Sequence, residues 1–264
     1  MENQIFNESC LDTMGRMKDS SIDLVVTSPP YDNLRTYNDS IDQSWGESVW
    51  KPIISELCRV IKEGGVVVWI VNDATVEGSE TGSSFKQALH FMECGFKLYD
   101  TMIWTKQMAT PTESRYYNGF EYMFVFSKGK PKSLNFIEDV KTKSFGKEYR
   151  PEKVVGYNKK GVRPGRHSDK VKTIKEYTRR LNYWYIPVGQ NRTKHPAVFP
   201  ENLAHDHIVS WSDKGDVVYD PFLGSGTTAK MAKTTNRKYI GSEISEDYFK
   251  IAQKRLDHTQ EYLF

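Results

Sequence analysis

Asp220-Pro221-Phe222-Leu223-Gly224-Ser225-Gly226-Thr227-Thr228-Ala229 sets a carboxylate and two closely spaced glycines between a short apolar run, Val217 to Tyr219, and a helix-compatible segment, Thr227 to Thr235. The glycines therefore fall on a strand-to-helix turn, where a ligand can approach the backbone closely. A side chain at Gly226 is expected to block that approach while leaving a folded domain. Glu243 lies at the end of the next strand, Lys238 to Ser242, at the separation from which an acid accepts hydrogen bonds from ribose hydroxyls. Together these features point to a nucleoside-containing ligand. The three glycines of a dinucleotide turn and the Gly-Lys-Ser/Thr of a triphosphate loop are both absent. An acid at the strand end suits an ammonium group, such as that of S-adenosyl-L-methionine.

A second constellation is Thr27-Ser28-Pro29-Pro30-Tyr31, which closes the apolar run Ile22 to Thr27. The carboxyl ends of parallel strands are where ligands bind in open α/β sheets. Two prolines hold an extended backbone and remove two N–H donors, leaving carbonyl oxygens that only accept. With a hydroxyl and an aromatic ring beside them, they suit an exocyclic amino group on a base that can stack. A rigid strand-ending turn is the alternative reading of the same residues.

The surrounding elements follow from periodicity and breakers. Ile22 to Thr27 reads as a strand stopped by Pro29-Pro30. A helix from Trp50 to Ile61, with Pro52 in its first turn, ends at Gly64-Gly65 before the strand Val66 to Val71. A helix over Ser84 to Cys94, an extended segment over Phe96 to Thr105 and a strand over Phe120 to Ser127 come next. After the glycine turn, the strand Lys238 to Ser242 precedes an amphipathic helix over Tyr248 to Leu256. Alternating helices and strands predict an α/β fold with a parallel, doubly wound sheet.

From about Lys128 to Gln190 the chain is basic and poor in long periodic segments. Between Lys141 and Arg180 there are 14 Lys/Arg and 4 Asp/Glu, a local +10 in a chain whose total is +3. Such a concentration is an electrostatic footprint for a polyanion or, in the plainer reading, a solvated loop. The chain has 264 residues, 38% of them hydrophobic, enough for a sizeable core and against disorder. No apolar run exceeds Val66 to Val71 and the start has no signal pattern, so a soluble, cytoplasmic protein is expected. Cys10, Cys58 and Cys94 lack Cys-x-x-Cys spacing, and His205 and His207 have nothing nearby to complete a metal set, so no metal is expected. Trp69, Trp104, Trp184 and Trp211 are expected to pack in the core or in turns. The absence of a Pro-Cys dipeptide argues against a covalent cysteine mechanism at a ring carbon.

Taken together, the two motifs resemble those of DNA amino-methyltransferases that use S-adenosyl-L-methionine, of the permuted (beta) class in which the catalytic motif precedes the cofactor motif. The resemblance implies a Rossmann-like methyltransferase sheet with circularly permuted motif order and an inserted target-recognition region. Ser28, Pro29, Pro30 and Tyr31 match the catalytic tetrapeptide, with Ser28 also beside the cofactor. Asp220, Pro221, Phe222, Gly224, Ser225, Gly226, Thr227 and Thr228 match the cofactor loop, and Glu243 with Ile244 the ribose-binding segment. His195, Pro196 and Phe199 resemble the segment that closes over the methionine part. Glu121 and Lys128 fall in the last strand of the catalytic half. Where the family has Gly-Asp-Ser/Cys-Leu, with its Asp on an adenine amino group, this chain has Asn7-Glu8-Ser9-Cys10-Leu11. Glu8, Ser9 and Cys10 become cofactor candidates on that basis.

The resemblance implies residues 1–130 as the catalytic half, 131–190 as a basic target-recognition insertion and 191–264 as the cofactor-binding half. Lys159, Lys160, Arg163 and Arg166 are the DNA-contact candidates. The expected activity is methylation of cytosine N4 in duplex DNA by base flipping and direct transfer, because a serine opening the tetrapeptide is mostly associated with N4 in the family. Adenine N6 is the alternative, followed by an RNA methyltransferase or an inactive DNA-binding scaffold. A cognate restriction endonuclease and a homodimer are compatible partners.

Overall fold

A computed structural model describes residues 1–30, 45–110, 113–149, 152–154, 165–167, 171–188 and 200–259. Eight strands form the central sheet: β1 (Gln4–Phe6), β2 (Ile22–Thr27), β3 (Ile61–Val71), β4 (Lys97–Thr110), β5 (Asn118–Ser127), β6 (Tyr183–Tyr185), β7 (Val217–Asp220) and β8 (Lys238–Ser242). Their order is β1-β8-β7-β2-β3-β5-β4-β6. Six helices accompany them: α1 (Cys10–Gly15), α2 (Glu47–Val60), α3 (Ser83–Glu93), α4 (Glu201–Trp211), α5 (Thr227–Thr234) and α6 (Glu246–Asp257).

All six residues of β2 are buried, as a strand covered on both faces requires. Val25 packs with Trp50, Ile54 and Leu57 of α2 and with Phe91 of α3, while Leu24 and Val26 pack with Leu203 and Ile208 of α4 and Ala232 of α5. The chain leaves β2 through α2 on one face and leaves β7 through α5 on the other. The adjacent carboxyl ends of β2 and β7 therefore form a topological switch point, where the sheet opens a crevice.

The sheet departs from the parallel expectation at one strand: β5 runs antiparallel to both β3 and β4. The connection between Thr110 and Asn118 is too short for a crossover, which needs a dozen residues or more, so β4 and β5 can only form a hairpin. Helix α2 begins at Glu47, a turn earlier than the sequence indicated, which moves Pro52 to the helix interior. Burial of Trp50, Ile53, Ile54 and Leu57 on one stripe offsets the hydrogen bond that Pro52 cannot donate. Trp69, Trp104, Trp184 and Trp211 are all buried. His207 is also buried, stacked on Trp184 and accepting from the Trp211 indole at 3.3 Å. None of the described helices is long and apolar enough to cross a membrane.

Residues Phe136–Leu181 form a separate compact unit, lying within the 131–190 insertion that the resemblance implies. The difference arises because β6 adds to the sheet beside β4, with Trp184 buried and the Trp104 indole donating to the Ile186 carbonyl at 2.8 Å. Within the unit, three nested antiparallel pairs make one interrupted ribbon: Glu138–Lys141 with Tyr177–Arg179, Glu148–Tyr149 with Lys172–Thr173, and Glu152–Val154 with Gly165–His167. Lys175 pairs with Glu138 at 2.8 Å and Arg180 with Asp139, so part of the local positive charge is matched inside the ribbon.

Gly226 has a packing role that the sequence did not reveal. It caps α5 with φ at +83°, and a Cβ there would lie 3.0 Å from Ala252 Cβ on α6. A side chain would be strained by the left-handed backbone, at about 1–2 kcal/mol, and would wedge the two helices apart. Gly226→Val thus cannot separate ligand binding from folding, contrary to the expectation of an intact fold. Gly226→Ala is predicted to lower the unfolding free energy by about 1–3 kcal/mol in denaturant titrations. Unchanged stability would mean that α6 yields at this contact.

Candidate active site

The Thr27 hydroxyl, at the end of β2, donates to Asp220 Oδ1 at 2.6 Å, at the end of β7. The Phe222 N–H donates to the same oxygen at 3.0 Å, and the Thr228 hydroxyl, which bonds the Val26 carbonyl at 3.1 Å, also faces the carboxylate. Asp220 is therefore a buried clamp between the strand that leads into Ser28-Pro29-Pro30 and the strand that leads into the glycine loop. Burial pushes its carboxyl up to about 6, against the lowering effect of the Thr27, Thr228 and Phe222 hydrogen bonds. It remains an anion at neutral pH with little water around it, an environment that favours a nearby cation.

The turn after Asp220 is seated from several sides. Phe222 meets Trp45 and Trp69 edge-to-face, with ring centroids 5.4 and 6.0 Å away. Leu223 rests directly on Gly241 of β8, where any Cβ would collide with it. Arg255 of α6 donates to the Ser225 carbonyl at 3.1 Å and to the Ser225 and Thr227 hydroxyls at 3.0 Å each. Ser225, Thr227 and Thr228 are buried, so these three predicted side chains hold the turn in shape. What the turn offers outward is its backbone.

Glu243 lies beside this turn because β8 pairs β7 in parallel register, Gly241 opposite Asp220. One carboxylate oxygen accepts the Gly224 N–H at 2.7 Å and the other the Ser245 N–H at 2.9 Å. Each oxygen keeps a second lone-pair direction for an external hydroxyl. Burial raises the Glu243 carboxyl above its usual range, partly opposed by those two N–H groups. Ile244 is exposed next to it. Asp220 and Glu243 thus set two desolvated carboxylate acceptors, and Ile244 an apolar side chain, around the glycine turn.

At the amino terminus, β1 pairs β8 so that Asn7 donates to the Glu243 carbonyl at 2.8 Å. Ser9 caps α1, accepting from the Leu11 N–H at 3.3 Å. Glu8 is held by Arg16 at 2.9 Å and by the Thr13 hydroxyl at 2.6 Å, and the Arg16 guanidinium keeps its carboxyl below the usual carboxylate range. Cys10 is buried, and burial pushes its thiol up to about 12, leaving no thiolate for chemistry.

Ser28 and Pro30 are half-buried and Pro29 is buried, at the mouth of the switch point. Tyr31, His195, Pro196 and Phe199 lie outside the described residues, as do Lys159, Lys160 and Arg163; Arg166 is placed only by its backbone, opposite Lys153. Lys128 caps the end of α2, its ammonium donating to the Cys58 and Ile61 carbonyls at 2.8 and 3.0 Å. Glu121 is buried and pairs with Lys106, whose ammonium also lies 4.9 Å from the Trp104 ring centroid. Arg255 and Lys106 did not stand out in the sequence, and Thr27 was read there only as the strand end that leads into Ser28 and the proline pair.

The pH response of Asp220 can be derived from its burial. The unfolded chain ionises near pH 4 and the folded one near 6, so the native state loses stability as pH rises through that window, by about 3 kcal/mol in all. Asp220→Asn keeps an acceptor for Thr27 and Phe222 and carries no such loss. Its melting temperature relative to wild type is predicted to climb between pH 4 and 6.5 and then level off. A difference that stays flat with pH would show that the carboxyl is not perturbed.

A family model described as DNA methylase, for the N6/N4 methyltransferases, matches residues 22–254. The orphan methyltransferase M.BamHII of Bacillus amyloliquefaciens is 53% identical over 250 residues, spanning 90% of this chain and 89% of its own length. The DNA adenine methyltransferase YhdJ of Escherichia coli is 25% identical over 98% of this chain and 84% of its own. Among solved structures, the PvuII DNA methyltransferase (cytosine-N4-specific) superposes with a TM-score of 0.69 at 17% identity, over 100% of this chain and 88% of its own. The TTHA0409 modification methylase of Thermus thermophilus, complexed with S-adenosyl-L-methionine, reaches 0.64 at 22% identity, over 97% and 94%. These matches, on a chain with the switch-point crevice described above, make it a member of the N6/N4 DNA methylase family, a DNA methyltransferase whose cofactor is S-adenosyl-L-methionine.

Proposed function

We propose that this enzyme methylates the exocyclic N4 of cytosine in duplex DNA, with the target base flipped into the crevice at the ends of β2 and β7. The observation that carries the reading is Ser28-Pro29-Pro30 projecting from β2 directly beside the Thr27–Asp220 clamp. The cofactor supplies an electrophilic methyl group on a sulfonium that leaves as a neutral thioether. The chain's own work is to hold the amine. The Ser28 hydroxyl and the Pro29 carbonyl accept hydrogen bonds from its two N–H groups, drawing electron density onto nitrogen as it attacks the methyl carbon, and the proton shed by the methylated amine passes to solvent. Tyr31 provides the face on which the base stacks, and the inert Cys10 thiol agrees with direct transfer rather than a covalent enzyme intermediate. Alignment of the two reactants supplies most of the acceleration.

Asp220 receives the ammonium of the cofactor and Glu243 its ribose hydroxyls in this reading. The serine at the head of the tetrapeptide favours cytosine, and the PvuII structural relative is named as cytosine-N4-specific. Adenine N6 is the competing reading, because YhdJ, a relative of full-length similarity, is named as an adenine enzyme. The ribbon unit over Phe136–Leu181 is assigned to target recognition, with Lys159, Lys160, Arg163 and Arg166 on DNA phosphates and bases. A cognate endonuclease and self-association remain compatible with this assignment, as does action in the cytoplasm.

Two measurements test the proposal. Nucleoside mass spectrometry of DNA from cells expressing the enzyme is expected to find N4-methylcytosine, with N6-methyladenine alone overturning the choice of base. Neutralising Lys159, Lys160, Arg163 and Arg166 together is expected to flatten the salt dependence of DNA binding, by about 0.9 in slope for each phosphate that is no longer neutralised. An unchanged slope would return that stretch to a solvated loop.

A further inference from the structure

The β4–β5 hairpin extends past the edge of the sheet at which Ser28 and Asp220 lie. Strand β3 ends at Val71, opposite Tyr122 of β5, whereas β5 reaches back to Asn118, paired with Thr110 of β4. The residues from Asn118 to Glu121 thus run beyond the end of β3 by roughly 13 Å at the rise of an extended strand. The described residues that lead into Asn118 at this extended end include Arg115, Tyr116 and Tyr117. Tyr116 is 102% exposed and Tyr117 61% exposed. Arg115 is bound to the Gly78 carbonyl and lies 3.8 Å from Glu80, on the small Thr75–Val76/Ser79–Glu80 hairpin that follows β3. This end of the loop is therefore braced, with two adjacent aromatic rings turned to solvent, an arrangement that brings the fold no burial.

We propose that Tyr116 and Tyr117 are the wedge that stabilises the flipped state of the duplex, an inference that rests on the base-flipping reading above. Extruding a base leaves its neighbours without a stacking partner and its complement without a pair. A planar ring of base-like area restores stacking in that gap, and inserted side chains do this between base steps elsewhere. A phenol adds a hydroxyl that can donate to, or accept from, the orphaned complement. Tyr116 enters the gap and Tyr117 lies against the adjoining step. Both rings act on the duplex around the extruded base rather than on the reacting amine, so both are positioning residues.

The test uses the full-length enzyme and a duplex bearing its methylation site, located by sequencing of modified bases. Two forms of the duplex are compared, one matched and one with the target base facing an abasic site, where pairing is already lost. Tyr116→Ala and the double variant with Tyr117→Ala are expected to lose about tenfold or more in kcat/KM on the matched duplex, and much less on the abasic one. Tyr116→Trp, which keeps a stacking ring, is expected to retain activity close to wild type. Calorimetric affinity for S-adenosyl-L-methionine should be unchanged, and the fluorescence rise of 2-aminopurine at the target position should shrink in the alanine variants. Wild-type activity of the double variant on the matched duplex would overturn the proposal, and so would an equal loss on both duplexes, the mark of a plain surface contact. A wild-type enzyme that methylates the matched duplex with no 2-aminopurine rise would overturn the base-flipping reading itself, and the wedge with it.

Discussion

The hydrogen bond from Thr27 to Asp220 joins residues 193 positions apart, and most of the site is arranged around it. One end fixes where β2 releases the chain into Ser28 and the prolines. The other fixes where β7 releases it into the glycine turn. Because the bond is buried, its energy is little diluted by water, and losing either partner would leave a polar group stranded in the core. The clamp also sets the ionisation of Asp220, since the same burial that strengthens the bond disfavours the charge. A bound cation would relieve that tension, so the site is most strained when empty of positive charge.

The supporting contacts radiate from this clamp in a fixed order. Phe222, Leu223 and Gly226 seat the turn on three different elements, and Arg255 threads its Ser225 and Thr227 hydroxyls together. Arg255 also reaches Glu201 at the start of α4, which in turn holds Lys230 of α5 at 2.6 Å. Three helices on one face of the sheet are thereby referenced to the same loop. Preorganisation of this kind is what lets a turn present backbone groups to a ligand without rearranging.

Much of the sheet was legible in the sequence because apolar residues cluster along its strands, as from Val66 to Val71. Ile22 to Thr27 and Lys238 to Ser242 match their strands residue for residue. Elements with weak local signals escaped. β1 has three residues and gains its stability from pairing with β8, and α1 reads as a polar motif because Ser9 caps it. α4 opens with no side-chain cap and places Leu203, Ala204, Ile208 and Trp211 on a stripe broken by His205 and His207. In the site, residue types were easier to recognise than their tasks. The Ser225 and Thr227 hydroxyls proved to face Arg255, and Gly226 proved to face Ala252, because what a turn packs against is decided by helices that close over it from elsewhere in the chain. Glu8 similarly looked like a ligand contact, yet its carboxylate is committed to Arg16 and Thr13.

The strand order has a consequence for how the molecule is assembled. β1 and β2 are separated in the sheet by β8 and β7, which are made last. As the chain emerges from a ribosome, β2, β3, β5 and β4 can pair among themselves, but the flank of β2 stays an open edge until β7, which ends at Asp220, has been synthesised. Filling that slot requires contacts such as Thr27–Asp220 across 193 residues, the kind of nonlocal closure that slows folding and leaves backbone edges exposed to association meanwhile. The clamp between Thr27 and Asp220 can form only at that moment. Sheet closure and completion of the nucleoside pocket are thus one event, and a ligand able to enter the nascent pocket would act as a template for the final step of folding.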